Sequence, residues 1–327
     1  MSPHAFFVGN DGRLEWRDAG PLTPAACEVL IAVEAAGVNR PDLLQRAGLY
    51  PPPEGASQAL GLEVAGIVEA IGEQVTRFAP GDRVMALVPG GGYASHCLAD
   101  EGTVMAMPDA FTFVEAAAFP ETAFTVWTNA FEAGRLAKGE RLFVHGATSG
   151  IGTMAASIAT AHGIEVFGTA GSTGKVAAGE RAGFTKVWNY KEEDWSTAMS
   201  ALGGCDVVLD MVGGDYVPRN LAMLKAGGRH VSIAFLGGIE AKVGIMDIMR
   251  RQLTLTGSTL RARSKEEKAR LRAVVEGALF PLIEIGKIKP LVTLELPMRE
   301  ADRAHQAMQS GELVGKAVLV KDESLQP

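Results

Sequence analysis

Cysteine is scarce in this chain. The 327 residues hold three, Cys27, Cys97 and Cys205, too far apart for a CxxC pair or a disulfide framework. That excludes a disulfide-stapled secreted domain and fits a reducing compartment. Basic charge is in deficit as well. Against 38 Asp and Glu stand 31 Lys and Arg, a net charge of -7 that argues against a broad nucleic-acid surface. No apolar run reaches the length of a membrane span. The first ten residues lack a basic n-region and an apolar h-region, so no secretory leader is expected and the predicted location is cytoplasmic. The six histidines, at 4, 96, 145, 162, 230 and 305, show no ligand spacing. With scattered cysteines they predict no metal. What is present is ordinary globular material, 47% hydrophobic and 21% charged, in a length that favours two domains.

The most informative stretch is Arg141-Leu-Phe-Val-His-Gly-Ala-Thr-Ser-Gly-Ile-Gly152. It reads as a buried strand running into a glycine-rich turn, followed by an Ala-rich helix from Thr153. Strand, glycine turn and helix bring unpaired N–H groups and the positive end of a helix dipole to a phosphate. Alone, such a turn is weak evidence, because many strand-to-helix turns use glycine for steric reasons. The flanking sequence decides. Strands are predicted at 141–145, 164–169, 186–190, 206–211, 229–235 and 253–257, alternating with helices at 153–162, 175–182, 193–202, 216–224 and 245–252. This is the pattern of a parallel sheet covered on both faces.

Residues 1 to about 120 read instead as short strands and turns, with strands at 29–36, 61–71, within 80–88 and at 93–98, which suggests a small β barrel. After about 264 come a charged helix, a strand from Leu291, a helix from Glu300 and a strand ending at Val320. This tail leaves the β-α alternation and is expected to rejoin the first domain. The predicted organisation is a barrel domain of 1–120 with 264–327, and an inserted doubly wound (Rossmann) dinucleotide domain of 121–263.

The second strand of the inserted domain ends where a dinucleotide's ribose 2′ position sits. An NAD site usually has Asp or Glu there. Here the residues are Thr169-Ala-Gly-Ser-Thr-Gly-Lys175, without a carboxylate. Gly171, Ser172 and Lys175, with the phenol of Tyr190 after the third strand, suit a 2′-phosphate. The alternative for Lys175 is a solvated residue in a helix's first turn, where a cation opposes the dipole. The expected cofactor is NADPH.

Taken together, Gly37-Val-Asn39, Asp42, Gly48-Leu-Tyr-Pro-Pro-Pro53, Gly61-Leu-Glu63, Pro80-Gly-Asp-Arg-Val84, Ala147-Thr-Ser-Gly-Ile-Gly152, Asn189-Tyr-Lys-Glu-Glu-Asp194 and Gly315-Lys316 resemble the medium-chain dehydrogenase/reductase superfamily. The resemblance covers nearly the whole chain. It is nearest the zinc-free quinone oxidoreductases related to zeta-crystallin, and Thr169–Ser172, Gly213–Tyr216 and Leu260–Arg263 look most like the mammalian stress-induced members. It implies an α/β fold with a GroES-like β-barrel catalytic domain and a Rossmann domain. Where the superfamily's alcohol dehydrogenases carry Cys and Gly-His-Glu, this chain has Asn39 and Gly61-Leu-Glu63. Two catalytic zinc ligands are therefore missing.

A quinone or enone is electron-poor enough to take hydride with hydrogen-bond help alone. By resemblance, Asn39 and Tyr50 donate to the quinone beside the nicotinamide, and Thr125 lies near the nicotinamide amide. Leu44 replaces a pocket tyrosine of some relatives. The backbone of Ser149, Gly150, Ile151 and Gly152 is expected to receive the pyrophosphate, and the loop through Phe235 and Leu236 to pass the nicotinamide ribose. Arg261 and Arg263 either approach the phosphates or begin the charged face of the next helix.

The expected activity is metal-free NADPH:quinone oxidoreduction. The alternatives are an enone or 2-alkenal reductase of the same fold, and a non-enzymatic NADPH-binding protein. A short-chain dehydrogenase is excluded, because the residues four beyond the tyrosines are Glu54, Cys97, Asp194 and Asn220, never Lys. The strand Leu253–Ser258 is expected at a sheet edge, where a second subunit would pair to give a homodimer. Other expected partners are a small electrophilic substrate, no nucleic acid and no membrane.

Overall fold

In the computed structural model, which describes residues 3–325, the chain opens with a hairpin of β1 (His4–Val8) and β2 (Leu14–Asp18). The sequence reading missed this hairpin. Then follow β3 (Glu28–Gly37), α1 (Arg40–Arg46), β4 (Glu63–Ile71), β5 (Arg83–Leu87), β6 (His96–Asp100), β7 (Val104–Ala106), α2 (Phe113–Ala117) and α3 (Pro120–Val126). Next come β8 (Arg141–His145), α4 (Gly150–Ala161), β9 (Glu165–Ala170), α5 (Thr173–Arg181), β10 (Lys186–Asn189), α6 (Trp195–Ala201), β11 (Cys205–Asp210), α7 (Tyr216–Met223), β12 (Leu224–Ser232), α8 (Ile245–Arg251) and β13 (Thr254–Gly257). The chain closes with α9 (Lys265–Glu284), β14 (Val292–Pro297), α10 (Ala301–Gln309) and β15 (Lys316–Val320). It divides into two compact units, Met1–Thr122 with Arg261–Pro327, and Ala123–Leu260.

The first unit is built on a seven-stranded sheet in the order β14-β15-β3-β4-β5-β7, with β6 also pairing β3. β3 is its spine because Val29, Ile31, Val33, Ala35 and Ala36 are all buried, so both its edges are paired and one face is dry. The C-terminal strands β14 and β15 complete this sheet, and β15 pairs antiparallel to β3. Val64, Val84, Ala86, Leu296 and Leu319 fill the same core. α9 lies against the turn after β6 and buries Leu271, Val275, Leu279 and Ile283, whose four-residue spacing makes one apolar stripe. Ser264 caps it by accepting the Glu267 N–H at 3.2 Å.

The second unit is a six-stranded, all-parallel sheet, order β10-β9-β8-β11-β12-β13. The order reverses between β8 and β11. In such sheets ligands bind beyond the strand C-termini at that reversal. Val207, Val208 and Leu209 of β11 are fully buried, as a central parallel strand covered on both faces requires. Phe143, Trp188, Trp195 and Met199 belong to its hydrophobic core. β12 ends at Ser232, three residues short of the expectation, so Phe235 and Leu236 belong to the following loop. β13 is an edge strand, as its sequence implied.

Candidate active site

In the second unit, β8 delivers the glycine turn to the reversal point. Ser149 caps α4, its hydroxyl accepting the Gly152 N–H at 3.0 Å, while the Thr153 N–H bonds the Ser149 carbonyl at 2.9 Å. Gly152 thus spends its N–H on the cap, and its part in the turn is steric. A Cβ on it would lie 2.3 Å from the Gly146 carbonyl, and Gly146 itself has φ +70°. The N–H groups of Gly150 and Ile151, in the first turn, have no intrahelical acceptor and suit an anion.

At the end of β9 the structure brings together Gly171, Ser172, Lys175 and Tyr190. Ser172 caps α5 by accepting the Lys175 N–H at 3.4 Å. The Tyr190 hydroxyl sits over Gly171, 2.7 Å from where a Cβ would be, so only glycine leaves it room. Tyr190 keeps 44% of its surface exposed. No carboxylate lies in 169–175.

Phe235 and Leu236 are exposed, in a loop held to the β11 terminus by Leu236 N–H to Met211 carbonyl (3.2 Å) and Gly237 N–H to Val212 carbonyl (2.7 Å). Asp210 anchors that terminus by accepting the Val212 N–H at 2.7 Å. Below runs a buried polar ladder. His145 lies 2.9 Å from Thr169 Oγ1 and 2.7 Å from Asn220 Oδ1, and His230 lies 3.1 Å from Asp210. Burial pushes His145 down to about 4, so it is neutral. It donates through Nε2 to Asn220 and accepts the Thr169 hydroxyl at Nδ1. Thr125 is partly buried on α3, with its carbonyl accepting from Asn129 Nδ2 at 2.8 Å.

The first unit holds a second polar centre, where β3, β4 and β15 deliver Asn39, Glu63 and Lys316. The Lys316 ammonium donates to Glu63 Oε1 (2.6 Å), Asn39 Oδ1 (2.6 Å) and the Val38 carbonyl (2.9 Å). Asn39 Nδ2 donates to the same Glu63 oxygen at 2.9 Å, and the Glu121 N–H to the other at 2.9 Å. The Asn39 amide, the expected donor to a substrate, is turned toward this ion pair: one Nδ2 N–H is spent on Glu63, the other points at the Gly37 carbonyl at a long 3.4 Å, and Oδ1 accepts from Lys316.

Asp42 accepts the Asn39 N–H (2.7 Å) and the Tyr93 hydroxyl (2.9 Å), and Tyr93 reaches His305 Nε2 at 3.3 Å. Burial raises the Asp42 carboxyl to about 6 despite these bonds, and lowers His305 to about 4. The Tyr50 phenol, partly buried, is raised above 10.0 by burial and then by the neighbouring Glu121 carboxylate.

Arg261 corrects one expectation. It lies in the first unit, and its guanidinium donates to the Pro89 carbonyl (2.7 and 3.0 Å), the Tyr50 carbonyl (3.2 Å) and Gln45 Oε1 (2.7 Å). Its charge also stands 5.2 Å from the centre of the Tyr50 ring. Four of its five N–H donors are therefore spent within the first unit, on Pro89, Tyr50 and Gln45, rather than on a phosphate. Arg263 pairs with Glu267 at 3.3 Å on α9, the charged-face alternative. Sequence reasoning assigned no role to Lys316, Tyr93, His305 or Glu121. A lysine opening an apolar strand was the only available signal, and it marks a buried cation only once a carboxylate is seen opposite.

Among the described residues no three His, Cys, Asp or Glu side chains come together as metal ligands would. The place between Glu63 and Asn39 is filled by the Lys316 ammonium, so the donor set does not fit a zinc ion.

Comparison with known proteins agrees with this architecture. Residues 25–126 match the "Alcohol dehydrogenase GroES-like domain" family and residues 150–276 the "Zinc-binding dehydrogenase" family. The chain is 33% identical over 304 residues to the mouse quinone oxidoreductase, covering 91% of this chain and 90% of that protein. The Escherichia coli quinone oxidoreductase crystallised with NADPH superposes with a TM-score of 0.85 at 30% identity, covering 98% of this chain and all of that one. The CurK enoyl reductase gives 0.84 at 29% identity, over 98% of this chain and all of that one. With a GroES-like domain, a Rossmann domain and quinone oxidoreductase relatives along most of its length, the chain belongs to the medium-chain dehydrogenase/reductase superfamily of oxidoreductases.

Proposed function

We propose that this protein is an NADPH-dependent quinone oxidoreductase that transfers hydride without a metal. The observation that carries the reading is the pairing of two features. One is the grouping of Gly171, Ser172, Lys175 and Tyr190 at the end of β9, with no carboxylate in 169–175. The other is a polar centre in which Lys316, not a metal, faces Glu63. The nicotinamide, when bound, supplies the hydride. The Gly150 and Ile151 N–H groups take the pyrophosphate, with Ser149 and Gly152 shaping the turn. Lys175 and Ser172 take the 2′-phosphate. Phe235, Leu236 and Thr125 serve the nicotinamide end.

On the acceptor side Tyr50 is the hydrogen-bond donor to the oxygen that gains charge, and Arg261 and Gln45 hold its loop. Such a donor suffices for an acceptor that is already electrophilic. The edge strand β13 is the proposed pairing edge of a homodimer, and the working compartment is the cytoplasm.

A second reading, reduction of an enone or enoyl double bond, is favoured by the likeness to an enoyl reductase. Purified protein assayed with NADPH against ortho- and para-quinones, enones and 2-alkenals separates the two. Quinones are expected to be reduced fastest. A preference for enones would favour the second reading, and no NADPH oxidation with any acceptor would favour a nucleotide-binding protein.

A further inference from the structure

We propose that Asn129 is a positioning residue for hydride transfer: its side-chain amide fixes Thr125 at the ligand edge of the parallel sheet, so that the Thr125 hydroxyl meets the nicotinamide amide in one orientation. The inference rests on the reading of the second unit as an NADPH site with Thr125 at the nicotinamide end. It goes beyond that reading by naming the group that sets Thr125 and the strand ends to which Thr125 is tied.

α3 does not finish as an α-helix. After Val126 it widens into a π-helical stretch, Trp127–Ala133, in which the Gly134 N–H bonds the Asn129 carbonyl at 2.8 Å. Such stretches are rare and recur at functional sites. Here the Asn129 side chain folds back along the helix, and Nδ2 donates to the Thr125 carbonyl at 2.8 Å.

The oxygen of the same amide is held as well. The Ser258 hydroxyl donates to Asn129 Oδ1 at 2.8 Å, and the Ser258 N–H bonds the Ser232 carbonyl at 3.2 Å. Ser232 is the last residue of β12, and Ser258 directly follows β13. Both stand at strand C-termini, the edge where a parallel sheet of this kind binds its ligand. Ser232 also lies three residues before Phe235, at the root of the loop assigned to the nicotinamide end. One amide therefore joins Thr125 to that root. The two strand ends approach closely: a Cβ on Gly257 would lie 2.8 Å from the Ser232 carbonyl.

The partners fix which way the amide points. The Thr125 carbonyl needs a donor, so the nitrogen faces it, and the oxygen is left for the Ser258 hydroxyl. Asn129 is 2% exposed, so water is a poor substitute for either bond, and losing one leaves a buried polar group unpaired. Asp lacks the N–H and Leu lacks both polar atoms, so neither reproduces the pair of bonds. Thr125 itself is partly buried, and among the described residues nothing hydrogen-bonds its hydroxyl. A hydroxyl uncommitted to the protein, on a backbone held in place by an enclosed amide, is preorganised to orient a ligand.

Three variants test this. Asn129→Leu removes both bonds at similar volume, Ser258→Ala removes one at a partly buried position, and Ser258→Thr keeps the hydroxyl. With para-benzoquinone, Asn129→Leu should lower kcat roughly 10- to 100-fold, the scale set by a small misplacement of a reactant. Its kcat should carry the full primary isotope effect of a rate-limiting hydride step when NADPH is deuterated at the transferred position. Ser258→Ala should lower kcat about threefold, and Ser258→Thr should stay within about twofold of wild type, as expected for one hydrogen bond lost or kept. Binding gives a readout without turnover. NADPH should bind Asn129→Leu about fivefold more weakly, whereas 2′-phospho-ADP-ribose, which lacks the nicotinamide, should bind all three variants as it binds wild type. Unchanged kcat in Asn129→Leu and Ser258→Ala, even with a lowered Tm, would make the amide purely structural and overturn this inference alone. So would 2′-phospho-ADP-ribose weakening as much as NADPH, the mark of a disturbed domain. If Asn129→Leu does not fold, Ser258→Ala against Ser258→Thr decides by the same kcat and binding readouts. A wild type that binds NADPH but reduces neither quinones nor enones would overturn the reading of the site and this inference with it.

Discussion

Replacing Lys316 by Met removes the ammonium that faces Glu63 while keeping the length of the stem. Both partners are almost wholly enclosed, with side-chain exposures of 4% and 0%, and stand 2.6 Å apart. Even at an effective dielectric of about 20, opposite charges about 4 Å apart attract by about 4 kcal/mol. Removing one member of a buried pair typically costs about 3–5 kcal/mol, because the other is left charged and unsolvated. Glu63 would keep two N–H donors, from Asn39 and Glu121, which softens the loss without replacing the charge. The expected cost is therefore about 3 kcal/mol. For a unit of this size that is a fall in Tm of roughly 6–12 °C. Thermal and urea unfolding of Lys316→Met against wild type measures it. The double variant Lys316→Met with Glu63→Gln removes the stranded charge but keeps an acceptor for both N–H groups, and should recover at least half of the lost stability. A single variant within about 1 kcal/mol of wild type, or a double variant no better than the single, would refute the argument that this pair is held by charge.

Lys175→Ala should raise KM for NADPH about 10- to 100-fold and leave KM for NADH nearly unchanged, since one charge-assisted bond to phosphate is worth about 1.5–3 kcal/mol; an unaltered NADPH/NADH ratio would remove Lys175 from the proposed 2′-phosphate site. Tyr50→Phe should slow quinone turnover about tenfold, with KM for NADPH constant, as expected for one hydrogen bond made mainly in the transition state. Asp42 gives a pH-dependent prediction. Its carboxyl rises from 3.8 to about 6 on folding, so the folded state binds the proton more tightly, and this residue's contribution to stability is lost as pH climbs from about 4 to 6. His145 and His305, both lowered, act the other way below about 6.5 and mask the effect in wild type. The comparison of Asp42→Asn with wild type isolates it: no gain at pH 4, and a relative gain of up to about 3 kcal/mol at pH 7. Light scattering at micromolar concentration should give twice the 34.4 kDa of one chain; a monomer would count against pairing through β13.

The second unit was the more legible in the sequence. Its parallel strands are continuous apolar runs such as Leu142-Phe-Val144 and Val207-Val-Leu209, and its turns are marked by glycines, so period and punctuation agree. β12 was misplaced because Ala226-Gly-Gly228 looks like a turn, yet pairing with β11 carries the strand through it. The first unit was harder to read. Its barrel was foreseen, but β1 and β2 were missed because Asn10, Asp11 and Gly12 resemble an irregular surface stretch, and only pairing fixes them as a hairpin. The glycine turn and its serine caps were legible because backbone conformation dictates glycine and serine locally. The buried polar centre of the first unit was not, because Asn39, Glu63, Glu121 and Lys316 are separated by up to 277 positions and acquire meaning only when folding brings them within hydrogen-bond distance. Arg261 shows the same limit. Beside a strand end it suggested a phosphate contact, whereas its nitrogens are taken by carbonyls more than 170 residues away.

The central claim, hydride transfer from NADPH to a quinone without a metal, is tested most directly by an anaerobic single-turnover experiment. Metal-free protein loaded with NADPH is mixed with a para-quinone while the nicotinamide absorbance is followed. The account predicts that one quinone is consumed per nicotinamide oxidised, that chelator leaves the rate unchanged, and that NADH gives a rate at least tenfold lower at equal subsaturating concentration. Nicotinamide absorbance that does not change on mixing, a rate restored only by added zinc, or NADH serving as well as NADPH would contradict it.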